Sequence, residues 1–153
     1  MSIDFTKGLG CPFGAILAGP RDFIARAWRV RQMFGGGMRQ SGIMTAMAHY
    51  ALDNNIDRMA DDHSVAAYIG DALAKLRGIA NVVPDETNIV IFEISDAGPT
   101  ADNLVTFARK RGFKIGAFGI RTVRVVTHLD VDIAAARQLV AVITEGLTAT
   151  ALA

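Results

Sequence analysis

The sequence holds one cysteine, Cys11, four prolines and only 7% aromatic residues in a chain of 153. A lone cysteine forms no internal disulfide and cannot by itself make a metal site. Its position just after a glycine marks a small packed side chain rather than a reactive thiol. An excess of one charge is missing as well. The 16 basic and 15 acidic residues are interspersed, the net charge is +1 and no basic run occurs, which argues against a nucleic-acid footprint. No stretch approaches the ~18 consecutive apolar residues of a membrane span. The start, Met1-Ser2-Ile3-Asp4-Phe5, lacks the basic and apolar regions of a signal peptide, so a cytoplasmic location is expected.

What the chain does have is 51% apolar content, enough for a folded domain with a core. The content is aliphatic and alanine-rich, which suits helices that pack closely on one another or on partner subunits. Ala15 to Gly19 reads as a short buried strand, and Arg21 to Met33 as a helix stopped by Gly35, Gly36 and Gly37. Arg39 to Leu52 reads as a second helix with Ile43, Met44, Met47 and Ala51 on a core face. Ile56 to Leu76 reads as a third, with Asp71 and Lys75 spaced for an i,i+4 pair and Gly78 as its stop.

From residue 80 the character changes. Asn81 to Val83 and Asn88 to Ile94 read as strands divided by a Pro84–Thr87 turn. Thr100 caps a helix to about Arg111, Phe113 to Ile115 and Thr122 to Thr127 read as strands, and Asp130 or Asp132 caps a final helix to about Glu145. This second half is a small α+β arrangement, a sheet with helices on one face.

Three segments carry candidate chemistry. In Thr6-Lys7-Gly8-Leu9-Gly10-Cys11-Pro12-Phe13-Gly14, Lys7 sits on a glycine-rich turn that lets backbone press against a planar or phosphorylated ligand. That pattern fits a Schiff-base lysine, although glycines near a lysine are more often an ordinary surface turn. A lysine amine attacks an aldehyde only when neutral, which calls for burial or nearby positive charge. In Gly35-Gly36-Gly37-Met38-Arg39-Gln40-Ser41-Gly42, Arg39 opens a predicted helix, where free N–H groups already favour an anion. In Val123-Arg124-Val125-Val126-Thr127-His128-Leu129-Asp130-Val131, Arg124 shares one strand face with Thr122 and Val126 and needs either solvent or an anionic partner. His128, at a strand end, and the helical His49 and His63 read as structural, with no metal-ligand spacing among them.

Together and in this order, these segments resemble the L-threonine aldolases, a pyridoxal-phosphate-dependent family of fold type I. The resemblance continues through Asn54-Asn55-Ile56-Asp57-Arg58-Met59-Ala60-Asp61-Asp62-His63 and Thr87-Asn88-Ile89-Val90. It implies an α/β protein equivalent to the carboxy-terminal half of an aminotransferase-like enzyme. Residues 1–78 would end the large cofactor domain and supply connector helices, and residues 79–153 would form the small domain with a mainly antiparallel sheet.

The resemblance further implies pyridoxal phosphate as cofactor, Lys7 as its Schiff-base residue, Arg39 near the cofactor phosphate of a neighbouring subunit, and Arg124 on the substrate carboxylate. Arg121 is the nearby competitor and ranks second, because it falls outside the matching motif. Gln32 stands where the family often has lysine, which puts a phosphate contact there in doubt. The implied reaction cleaves L-threonine or a related L-3-hydroxy amino acid to glycine and an aldehyde. An amino-terminal half, a homo-oligomer or both would be needed, with no nucleic-acid or membrane partner. The alternatives are a non-catalytic remnant that oligomerises through the helices of residues 21–78, and a β-eliminating lyase using the same cofactor.

Overall fold

In the computed structural model, which describes residues 1–84 and 86–149, the chain divides into two compact units, residues 1–58 and 59–153. The first unit opens with an unforeseen hairpin. Strand β1 (Ser2–Asp4) pairs antiparallel with β2 (Ala15–Leu17), Ile3 opposite Ile16. β2 ends at Leu17 and is exposed along its length, so the expected buried strand to Gly19 is corrected. Phe5, Leu9, Cys11 and Ala51 supply the buried apolar groups of this unit.

Helix α1 spans Arg21–Met33, as the spacing predicts, yet none of its residues is buried and Phe23, Trp28 and Val30 face solvent. Helix α2 runs Gly42–Asn54, starting three residues later than expected. Of its anticipated core face only Ala51 is buried, while Ile43 is 72% exposed. The apolar spacing is present, but no described element of this unit buries it.

The second unit has its own core. Helix α3 (Met59–Leu73) buries Val65, Ile69 and Leu73 at i,i+4 spacing. Lys75 lies past its end, so the anticipated Asp71–Lys75 helical pairing has no helix to stand on. Compactness changes at 58/59, and α3 packs on the sheet of this unit. The expected boundary at 78/79 falls inside this unit.

Strands β3 (Ile79–Val82), β4 (Ile89–Ile94), β5 (Gly116–Ala117) and β6 (Thr122–Val126) form one sheet in the order β3-β4-β6-β5, every pair antiparallel. The expected strand at Phe113–Ile115 is displaced onto β5, the two residues that find a partner in β6. The Pro84–Thr87 turn includes Asp85, which lies outside the described residues. Alternation is strict in β4 and β6. Val90, Phe92, Ile94, Val123 and Val125 are buried on one face, and Arg124 and Val126 lie exposed on the other.

The buried face is covered by α3, α4 (Ala101–Lys110) and α5 (Ile133–Ala149). Thr100 caps α4 by accepting a hydrogen bond from the Asn103 N–H, and Asp132 Oδ1 accepts from the Ala135 N–H at the start of α5. α5 continues four residues beyond the expected Glu145. Helices α4 and α5 approach closely at Gly146, where a Cβ would lie 2.6 Å from Leu104 Cδ1.

Candidate functional site

The lysine turn is held from inside. Asp4 Oδ1 accepts hydrogen bonds from the Thr6 hydroxyl at 2.6 Å and the Thr6 N–H at 3.0 Å, and these lower the Asp4 carboxyl from its ordinary value, with a smaller contribution from Lys7. Gly10 donates its N–H to the Lys7 carbonyl at 2.8 Å with φ +65°, a conformation that favours glycine. Leu9 and Cys11 are buried beneath, and Asn55 Nδ2 donates to the Leu9 carbonyl at 2.7 Å.

The turn therefore projects the Lys7 amine outward. Its side chain is 76% exposed, and Nζ lies 3.8 Å from Asp4 Oδ2. The burial expected around a Schiff-base lysine is not supplied by this unit. A cavity of about 410 Å³ in the same unit is lined mainly by Phe5, Phe13, Ile16, Met38, Met44 and Leu52, with Lys7 and Arg39 outside it.

Arg39 is reached through a latched turn. Arg31 Nε donates to the Gly36 carbonyl at 2.6 Å, the Gly36 N–H returns a bond to the Arg31 carbonyl at 2.8 Å, and the Gln32 carboxamide occupies the space a Cβ on Gly37 would need. Gln32 thus packs the turn rather than reaching a ligand. Because α2 begins at Gly42, Arg39 lies in the irregular run ahead of the helix and not in its first turn, which corrects the expected position. Its neighbour Gln40 takes a left-handed φ of +54°, and Ser41, at the N-cap, makes no side-chain capping bond. Arg39 is exposed and has no hydrogen bond or ion pair among the described residues.

In the second unit the two candidate arginines are in opposite conditions. Arg121 Nη1 donates to the carbonyls of Ser95 at 3.0 Å and Gly98 at 2.9 Å, with a longer approach to Pro99, and Nη2 donates to the Asp96 carbonyl at 2.8 Å. Its Nε is 3.4 Å from Asp96 Oδ1. This guanidinium is spent on holding the 95–99 turn between β4 and α4. Arg124, three residues on and on the open face of the sheet, has no acceptor among the described residues and only the Phe118 ring beside it, 5.5 Å from Cζ to the ring centre.

His128 Nδ1 accepts from the Asp130 N–H at 3.3 Å, a turn-holding contact. Lys7 and Arg39 thus share one unit, and Arg124 belongs to the other. Sequence reasoning missed Phe118 altogether and gave Arg121 no structural duty. Strand parity is the signal that separates the arginines, since Arg121 shares its parity with the inward Val123 and Val125.

The chain has the α/β fold found in fold type I pyridoxal-phosphate enzymes. A cysteine desulfurase of Escherichia coli superposes on 70% of the chain and 30% of its own, with a TM-score of 0.61 at 18% identity. A Listeria monocytogenes protein assigned as an L-allo-threonine aldolase superposes on 97% of the chain and 44% of its own, with a TM-score of 0.71 at 19% identity. Residues 1–97 match the family model for beta-eliminating lyases, and the chain belongs to that family. It is 43% identical over 131 residues to the low-specificity L-threonine aldolase of Escherichia coli K12, across 86% of this chain. It spans 38% of the length of that relative.

Two groups of this chain fit the cofactor of these enzymes, an accessible amine on a braced turn and an unpaired guanidinium just ahead of a helix N-terminus. Among the described residues, no cluster of His, Cys, Asp and Glu fits a metal ion, and no helix is long and apolar enough to cross a membrane.

Proposed function

We propose that this chain supplies the lysine and arginine half of a threonine-aldolase-type lyase that cleaves L-threonine or related L-3-hydroxy amino acids to glycine and an aldehyde. The observation that carries the reading is the contrast between Arg121 and Arg124. One guanidinium is saturated by backbone carbonyls, and the other stands unspent on an open sheet face, ready for a carboxylate.

Pyridoxal phosphate, when bound, supplies the electron sink for breaking the Cα–Cβ bond. Lys7 offers the amine for its aldehyde carbon, and the Asp4–Thr6 brace holds the turn from which that side chain projects. Arg39 offers two parallel N–H donors to a phosphate oxygen pair. Arg124 takes the α-carboxylate and so fixes which substituent of the α-carbon is aligned for cleavage. The burial that Lys7 lacks here would come from the rest of the assembly, copies of this chain or an amino-terminal half, in the cytoplasm.

The test mixes the chain with an amino-terminal half of a relative and pyridoxal phosphate, then measures glycine and acetaldehyde formed from L-threonine. Activity that Lys7→Ala and Arg124→Ala each abolish supports the reading. A keto acid with ammonia would move it to β-elimination, and no gain over either half would overturn it.

A second reading, a non-catalytic remnant that oligomerises through its helices, draws on α1 having no buried residue. It is favoured if an imine absorbance sensitive to Lys7→Ala is missing from every assembly.

A further inference from the structure

The surroundings of Arg124 define more than a free cation. β5 and β6 form a hairpin in which Gly116 stands directly opposite Arg124, and the Phe118 N–H donates to the Thr122 carbonyl at 2.8 Å. Phe118, two residues past Gly116, stands diagonal to Arg124 on the same open face, and Ile91 of β4 is the cross-strand neighbour on the other side. A Cβ on Gly116 would meet only the Arg124 carbonyl oxygen, at 3.9 Å, so the position directly across from Arg124 is empty. The diagonal position is filled by the Phe118 ring, 5.5 Å from the guanidinium carbon, although Phe118 is itself 66% exposed.

Three other arginines lie near rings: Arg137, 5.9 Å from the Tyr68 ring, belongs to α5 on the covered side of the sheet, and two are already engaged. Arg31, beside Trp28, bonds the Gly36 carbonyl, and Arg111, over Phe107, pairs with Glu145 at 3.2 Å. Arg124 has the ring and keeps its N–H donors unspent.

The hairpin that carries Phe118 is itself tied down. The Ala101 N–H donates to the Ile120 carbonyl at 2.8 Å, the Ile94 N–H donates to the Arg121 carbonyl at 2.9 Å, and the Arg121 guanidinium clasps the 95–99 turn. A long, exposed arginine otherwise loses much rotamer freedom when it grips a ligand.

We infer that Phe118 is a positioning residue for Arg124: its ring, anchored through the clamped hairpin, holds the guanidinium over the sheet while Gly116, directly across from Arg124, leaves the space beside the ring open for a carboxylate. The inference rests on the carboxylate-binding reading of Arg124 and adds the residue that prepares it. An exposed arginine–aromatic contact of this kind is worth about a two- to five-fold change in affinity.

The test uses the full chain and arginine side-chain NMR, with sodium acetate as the probe. The Arg124 Nε–Hε signal should show a ring-current shift that Phe118→Leu removes and Phe118→Tyr retains. In Phe118→Leu the acetate midpoint read from that signal should rise about two- to five-fold, with the backbone amide spectrum away from the hairpin unchanged. An Arg124 signal and acetate midpoint identical in the native chain and Phe118→Leu would refute the role of Phe118 and leave the carboxylate reading standing. An Arg124 signal that ignores acetate in the native chain would overturn that reading, and the inference with it.

Discussion

Removing the Arg121 guanidinium should destabilise the second unit, whereas the same truncation at Arg124 should leave stability almost untouched. In Arg121→Ala, three carbonyls bonded within 3.0 Å lose their donor, and the 95–99 turn is released from the start of β6. Each such bond to a charged donor is worth about 1.5–3 kcal/mol when buried. The side chain is 32% exposed, so water re-solvates part of what is lost, and the longer contact with the fully exposed Asp96 carboxylate adds nothing measurable.

The loss should therefore be about 2–4 kcal/mol, against within about 0.5 kcal/mol for Arg124→Ala. Urea unfolding followed by far-UV circular dichroism reads both as shifts of the midpoint at constant slope. Equal losses for the two variants, or an Arg121→Ala midpoint matching the native chain, would refute the division of labour between these arginines.

Other outcomes follow from local geometry. Gly146→Ala places a Cβ 2.6 Å from Leu104 Cδ1 and 2.9 Å from Phe107 Cδ1, against fully buried Leu104. Overpacking should outweigh the helix-propensity gain and lower stability by about 1–2 kcal/mol in the same urea assay. The Asp4 carboxyl is lowered chiefly by the Thr6 hydroxyl, so the bracing of the lysine turn is complete above the ordinary carboxylate value and is lost as pH falls through the lowered one. The Thr6 amide resonance should move with that titration in the native chain and be pH-independent there in Asp4→Asn.

The second unit was legible because its signals are local or strictly periodic. Alternation in Val90-Ile91-Phe92-Glu93-Ile94 and Val123-Arg124-Val125 set the buried face, and Thr100 and Asp132 announced helix starts with the capping chemistry observed. Phe113–Ile115 has strand composition, but pairing depends on a partner distant in sequence, and β6 offers one only to Gly116 and Ala117. β1 is three residues long and carries no pattern of its own. The apolar spacing of α2 predicted a core face that only Ala51 fulfils, because periodicity says which side seeks cover and not whether this chain provides it. For the candidate site, the three motifs nominate Lys7, Arg39 and Arg124. The exposure of Lys7, the engagement of Arg121 and the ring beside Arg124 are products of folding that no motif states.

The one tryptophan of the sequence, Trp28, sits on α1, 55% exposed with the Arg31 guanidinium 5.0 Å from its ring. Intrinsic fluorescence excited at the indole therefore observes that helix alone. In the bare chain the emission should be red-shifted and open to iodide quenching. Whatever comes to lie on α1 should shift it to the blue and shield it, so the protein carries its own optical gauge of assembly.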